Sequence, residues 1–338
     1  MTSKKLVLDA LGMCNHGRAP RQLWRLPWSE SRYGAEIAAL LRDYPEDLWG
    51  APGFYREASP ERGDRYAVGE YTDEWGCTFV GIQAGVIGEV KHPLVIDEGW
   101  ADAGKVRIPY EELSLDIGKV NEYCKAHSDA FLLSACLARP FERLQFIRGT
   151  EQLFIDLMDP PPGLLRFLEK MHAFSCEAME MWGKTEVDAL YFMDDWGAQH
   201  NLLIPPRIWR RLFKPLYKDY IDIAHRCGKK AFMHSDGHTL AIYPDLIELG
   251  LDAFNSQLFC IGPENLAQYK GKITFWGEFD RQHLLPEGTT EEVRQGVRRV
   301  KELLWNQGGC IAQLEFGPGA KPQNVRTVFE TWDELTAK

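Results

Sequence analysis

The second half of the chain constrains the fold most, because from Asp188 onward short apolar runs alternate with longer amphipathic ones. Ala189-Leu-Tyr-Phe-Met193 ends in Asp194 and Asp195, and Pro205-Pro206 then opens a helical pattern that runs to Cys227-Gly228. Lys230-Ala-Phe-Met233 leads into His234-Ser-Asp-Gly-His238 and a helical stretch from Leu240 to Leu249. Leu251-Asp-Ala-Phe254 ends in Asn255-Ser-Gln257 before Pro263 starts another helix. Ile273-Thr-Phe-Trp276 ends in Gly-Glu278-Phe-Asp280 before a helix from Thr289 to Trp305. Cys310-Ile-Ala-Gln-Leu314 ends in Glu315 before a helix from Pro322 to Leu335.

Five such units in succession predict a mainly parallel sheet covered by helices, either a closed barrel or an open doubly wound sheet. An open sheet that binds phosphate carries a glycine-rich first turn, and no GxGxxG or P-loop sequence follows any strand here. A barrel gathers residues from many strand ends at one mouth. Gln22-Leu-Trp-Arg25, Asp47-Leu-Trp49 and Phe131-Leu-Leu-Ser134 supply the remaining strands, so the reading is α/β, a single (β/α)₈ TIM-type barrel domain over residues 1–338. Tyr66 to Val95 alternates apolar and polar residues around glycine-rich turns, which predicts an inserted β-hairpin near the mouth at residues 66–96.

Composition narrows the class. Hydrophobic residues make up 45% and charged residues 26%, enough for a sizeable globular core. A net charge of −10 disfavours attraction to nucleic acid or anionic lipid, so neither is expected as a partner. The eight cysteines form no CxxC pair, which fits reduced thiols in a cytoplasm. No apolar run reaches the roughly 18 residues a membrane span needs.

The polar residues that follow the strands are expected to meet around one cavity for a small-molecule substrate. Asp194 and Asp195 are adjacent carboxylates, and like charges in a poorly solvated mouth drive their pKa values apart, giving an acid beside a base. Equally, Asp195 bonds a backbone or arginine partner while Trp196 packs. His234 ends a strand and is read either as a metal-binding or catalytic group or as a plain hydrogen-bonded histidine; His238 is a second catalytic candidate or a solvent-facing residue. Asp236 ligates with His234 or caps the following helix. Glu278 and Glu315 end neighbouring strands and either reach a common centre or pair with an arginine. Asn255 and Gln257 are candidates for substrate contact. So are Trp28, Trp75, Trp196 and Trp276, by stacking on a ligand, unless they serve as packing.

Taken in order, several segments resemble the uroporphyrinogen decarboxylase superfamily: Asp73-Glu-Trp-Gly-Cys77, Pro140-Phe-Glu-Arg143 with Arg148-Gly149, Asp194-Asp-Trp-Gly197, Phe213-Lys-Pro-Leu-Tyr217, His234-Ser-Asp-Gly237, Leu249-Gly-Leu-Asp252 and Phe275-Trp-Gly277. The resemblance implies either a cofactor-free decarboxylase or a corrinoid-linked methyltransferase. True decarboxylases of the superfamily hold a polycarboxylate with an N-terminal arginine run, and the matching stretch here reads Arg21-Gln-Leu-Trp-Arg-Leu-Pro-Trp28. Members that serve coenzyme M bind zinc through His-x-Cys and a later Cys; here Asp236 stands in for the first Cys, and Gln313-Leu-Glu-Phe316 occupies the neighbourhood of the second. What remains is a harder donor set, suited to polarising an ether oxygen. The resemblance therefore implies the ether-cleaving, O-demethylating members, with zinc at His234, Asp236, Glu278 and Glu315 and a corrinoid supplied by a partner protein. A cofactor-free decarboxylase and a non-catalytic ligand-binding barrel are the alternatives.

Overall fold

The computed structural model describes residues 1–337. Its strands are β1 (Arg21–Arg25), β2 (Leu48–Gly50), β3 (Gly69–Thr72), β4 (Thr78–Gly81), β5 (Glu89–Val90), β6 (Phe131–Cys136), β7 (Ala189–Met193), β8 (Lys230–Ser235), β9 (Ala253–Ser256), β10 (Thr274–Trp276) and β11 (Cys310–Phe316). Eight of them form one sheet in the order β1-β11-β10-β9-β8-β7-β6-β2, with parallel pairing throughout. This is the expected (β/α)₈ architecture.

One seam of the barrel differs from the other seven. Between β1 and β2 the Asp47 N–H donates to the Arg21 carbonyl at 2.9 Å, and side chains do the rest. The Arg21 N–H goes to the Asp47 carboxylate at 2.9 Å, the Leu23 N–H to Glu46 Oε1 at 2.9 Å, and Gln22 Nε2 to the Leu48 carbonyl at 3.3 Å. Glu46 thus satisfies a strand-edge donor that a neighbouring backbone would otherwise take.

Residues 69–90 form a separate antiparallel sheet, β3-β4-β5. It has three strands where a two-stranded hairpin was expected, because Glu89–Val90 folds back onto β4. The sheet is tied to the barrel where β1 ends: the Trp28 N–H donates to the Gly85 carbonyl at 3.3 Å.

The helices start where their sequences dictate. Pro occupies the first turn of Pro140–Arg148, Pro162–Gly183, Pro206–Leu212 and Pro322–Thr336, where its missing N–H costs nothing. Thr290–Leu304 begins with a capping box: Thr289 Oγ1 accepts from the Glu292 N–H, and Glu292 accepts from the Thr289 N–H.

Strand parity then decides what faces the barrel axis. Phe131, Ala189, Phe232, Ala253, Trp276 and Ile311 fill the interior, and the N-terminal helix Ser3–Leu11 closes its lower end with Val7. Burying each large side chain contributes about 1.5–3 kcal/mol. Two residues further along the strands, the same faces carry Tyr191, His234, Asn255 and Gln313, with Gln22 and Trp24 from β1. The polar layer of the mouth therefore rests on an aromatic floor.

Candidate active site

The centre of the mouth is His234, buried at the end of β8. Its Nδ1 lies 2.6 Å from Asn255 Oδ1. The Asn255 amide nitrogen donates to the Trp276 carbonyl and to Gln313 Oε1, so its oxygen is the atom left for His234, and Nδ1 must carry the proton. Nε2 then faces the mouth, 3.5 Å from Asp195 Oδ1 and 3.6 Å from Asp236 Oδ1. Burial works against the imidazolium, but contact with Asp195 and the charges of Asp236 and Asp195 outweigh it and raise the histidine to about 9. Burial also opposes the Asp195 carboxylate, yet His234 and the Asp236 N–H, which donates to it at 3.0 Å, hold it down to about 2.

Two glycines make this juxtaposition possible. The loop after β7 and the loop after β8 cross backbone to backbone at Gly197 and Gly237, where a Cβ would lie 2.2 Å from the His238 nitrogen and 2.1 Å from the Gly197 oxygen respectively. The Gly197 N–H donates to the Asp236 carbonyl at 3.0 Å, which sets Asp195 and Asp236 beside the same imidazole. Ligand atoms of Asp195, His234 and Asp236 all lie within 4.8 Å of one another.

Glu278 and Glu315 take the arginine-paired alternative. Arg281, which the sequence reading passed over, reaches Asp236 through Nη2, Glu315 through Nη1 at 3.2 Å and Glu278 through Nε at 3.4 Å. A covalently attached cation thus occupies the space between three of the four proposed zinc ligands. Glu278 is almost fully buried, neither of its carboxylate oxygens has a hydrogen-bond donor, and burial pushes it up to about 8 despite Arg281. Gln257 steadies Asp236, its Nε2 donating to Oδ1 at 3.1 Å while its Oε1 accepts from the Gly237 N–H at 3.2 Å.

Asp194 turns away from this group. Its carboxylate accepts from the Phe141 and Glu142 N–H groups at 3.0 and 2.8 Å, capping the helix Pro140–Arg148, and from the Tyr217 hydroxyl at 2.6 Å. Burial raises its pKa to about 8 in spite of these donors. Asp194 and Asp195 thus differ in pKa, but not through the like-charge repulsion expected of adjacent carboxylates: they face opposite sides of the barrel wall, where burial raises the one and His234 with the Asp236 N–H lowers the other. His238 is half-buried, and its backbone N–H donates to the Ala198 carbonyl at 2.8 Å; it is not among the residues grouped around His234.

The tryptophans divide in the same way. Trp196 is fully buried, stacked on Phe141 at 4.1 Å with its Nε1 donating to Tyr217 at 2.7 Å, and Trp276 is fully buried with its Nε1 donating to Gln22 at 2.8 Å. Both are packing residues. Trp75 lies under the Arg143 guanidinium at 5.1 Å, and Trp28 under Arg32 at 4.4 Å, both beside the inserted sheet. The aromatic ring beside His234 belongs instead to Trp24, at 5.1 Å. Trp24 and Glu315 also line a crevice of about 580 Å³ that runs along the open β1–β2 seam.

A family model described as Uroporphyrinogen decarboxylase (URO-D) matches residues 80–335. The chain belongs to the uroporphyrinogen decarboxylase family. The match begins inside β4 and runs through the last helix, so it covers all the strand ends that build the His234 group. Among solved structures, a methyltransferase from Methanosarcina mazei aligns over 100% of both chains with a TM-score of 0.65 at 14% identity, a likeness of fold. A xylanase of glycoside hydrolase family 10 from Gloeophyllum trabeum aligns over 97% of this chain and 98% of its own, with a TM-score of 0.45 at 9% identity. Xylanase 10B from Thermotoga maritima aligns over 99% of each chain, with a TM-score of 0.45 at 10% identity. No curated protein matches the sequence. Among the described residues, no helix of this family member is long and apolar enough to cross a membrane.

Proposed function

We propose that this uroporphyrinogen decarboxylase family protein is a metal-dependent methyltransferase that moves a methyl group from a small methylated substrate, such as a methoxylated aromatic, to a corrinoid carried by a partner protein. The grouping of Asp195, His234 and Asp236 carries this reading. The donor set fits a divalent metal such as zinc: one imidazole, held by an amide behind it so that Nε2 faces the mouth and would release its proton as the metal binds, and two carboxylates already held in place by other residues. The metal would supply Lewis acidity to the heteroatom that loses its methyl group.

The chain's own groups complete the arrangement. Asn255 orients His234, Gln257 and Arg281 orient Asp236, and Trp24 walls the mouth on the β1 side. Glu278, raised to about 8, keeps its proton at neutral pH, which limits the negative charge that His234 and Arg281 must offset. The fold likeness to a methyltransferase agrees with this reading.

Decarboxylation of uroporphyrinogen is disfavoured by the fate of the two arginines in the stretch Arg21–Trp28. Arg21 is buried against Asp333 at 2.9 Å, and Arg25 pairs with Glu46 at 2.9 Å and Glu30 at 3.5 Å. Neither is free to hold a substrate carboxylate. The deciding experiment measures zinc in wild type and His234→Ala purified without a histidine tag, together with demethylation of methoxylated aromatics in the presence of an added corrinoid protein. Stoichiometric zinc and demethylation in wild type alone are expected. Equal, near-zero zinc in both proteins would end the metal reading, and turnover of uroporphyrinogen III in an anaerobic assay would end the methyltransferase reading.

A further inference from the structure

The crevice of about 580 Å³ along the β1–β2 seam has the size of a small-molecule pocket, about 300–1,000 Å³. Its inner end is shared with the barrel mouth through Glu315 and Trp24, whose ring lies 5.1 Å from His234 and 5.6 Å from Trp276. Its outer end is Trp49. Strand parity turns Leu48 into the barrel interior and Trp49 out of it, leaving that large ring 38% exposed. The ring is nonetheless held in one orientation: Nε1 donates to the Glu46 carbonyl at 3.3 Å, and His127 packs against it at 5.0 Å while meeting Tyr123 of the helix Ile117–Ala126 at 4.4 Å. Between the two ends Gly50 keeps the space open, since a Cβ placed there meets nothing within 4 Å. An exposed aromatic fixed at the rim of a cavity is a prepared contact surface.

The wall between these rings is acidic. Glu30, Glu46 and Glu315 line it, and Arg25 is divided between Glu46 at 2.9 Å and Glu30 at 3.5 Å. Arg25 therefore offsets one charge of that pair. Glu315 at the inner end draws on Arg281 at 3.2 Å, a guanidinium it shares with Asp236. By formal charge, Arg25 and Arg281 stand against Glu30, Glu46, Glu315 and Asp236, and the excess is negative along the whole length of the crevice.

We infer that the crevice holds an aryl methyl ether that carries a protonated amine side chain. The ring lies along Trp24, and the ammonium reaches the outer end, where Glu30, Glu46 and Trp49 stand. An ammonium gains from both kinds of neighbour, carboxylates and aromatic faces. A carboxylate at the same place gains from neither and meets like charge. Only the ether end rests on the reading of His234 as a methyl-transfer centre; the amine end follows from the crevice itself.

Calorimetric titration of the purified protein, before and after stripping of metal with a chelator, tests this with para-methoxyphenethylamine and para-methoxyphenylacetate, which are similar in length and opposite in charge. The amine is expected to bind at least about tenfold more tightly than the acid, with or without metal. Trp49→Ala is expected to weaken the amine by about threefold to tenfold, the scale of one cation–aromatic contact. Gly50→Trp, which adds bulk where the fold leaves room, is expected to abolish binding. No heat from the amine at millimolar concentration, equal or tighter binding of the acid, or unchanged amine binding in Trp49→Ala or Gly50→Trp would each overturn the assignment. Zinc content and demethylation report on the His234 group separately, so failure of one reading leaves the other standing.

Discussion

His234 and Asn255 are partners in the β8–β9 register, and their side chains meet at 2.6 Å between Nδ1 and Oδ1. Register and tautomer are thus set by one pairing: the strand ladder brings the amide to the imidazole, and the amide decides which nitrogen faces the mouth. Removing the amide leaves the ring free to rotate. Asn255→Ala is expected to lower zinc affinity by about 10–100-fold, read by competition with a chromophoric chelator. Unchanged affinity would exclude Asn255 from the site.

Asp194→Ala separates a structural carboxylate from a catalytic one. The substitution strands two helix N–H groups and the Tyr217 hydroxyl in a buried setting, so a loss of about 1–3 kcal/mol is expected in urea unfolding. Zinc content should stay at the wild-type level. Loss of zinc without loss of stability would contradict the outward orientation of this side chain.

Glu278 makes stability depend on pH in a definite direction. Its folded pKa of about 8 stands above its ordinary 4.5, so between these values the folded chain keeps a proton that the unfolded chain has released. Its contribution is fully present below the ordinary value and is lost as pH rises through about 8. Glu278→Gln cannot lose that proton, so the melting temperature of the variant should gain on wild type steadily across this window. Parallel curves for the two metal-free proteins would refute the assignment.

Arg281→Gln removes the guanidinium that sits against Asp236, Glu278 and Glu315. A mobile cation then has less competition for Asp236, and zinc affinity should rise by about tenfold, the equivalent of one partly screened charge contact. A fall in affinity would mean that Arg281 supports the ligands more than it competes with the ion.

Arg143→Ala breaks a buried pair from one side only. Asp73 and Glu74 keep their charges with nothing to offset them, and a loss of about 3–5 kcal/mol is expected from denaturant unfolding. A loss below about 1 kcal/mol, the scale of an exposed pair, would show that the two acids find water or protonate instead.

The barrel was legible because each βα unit announces itself locally: an apolar run, polar residues, a proline, an amphipathic stretch. The facing of Asp194 and Asp195 was not. In a parallel barrel both strand faces are buried, so Ala189 to Met193 shows no alternation that would reveal which side Tyr191 and Met193 share. Only the pairing of Tyr191 with Phe232 and of Met193 with His234 fixes the parity. Likewise Arg281 stands three residues after Glu278 in plain view, but its reach to Glu315 and Asp236 depends on two other strand ends. Trp24 was read as part of a strand, and its place beside His234 follows from barrel closure, which joins the first and last strands of the chain. Asp236, by contrast, was legible as a histidine neighbour two residues on, brought back by the turn at Gly237.

Closure itself is uneven, and that unevenness gives the barrel a preferred way to move. Seven junctions are backbone ladders that resist shear. The eighth, at β1 and β2, hangs largely on the side chains of Glu46, Asp47 and Gln22, groups that can let go and re-form without unravelling a strand. A barrel built this way is expected to hinge first at that seam, as a cuff opens at its clasp, with β1 parting from β2 while the seven ladders stay paired. Amide exchange would register the hinge as early loss of protection at Leu23, whose N–H is held by Glu46, ahead of the strands on the opposite side of the ring.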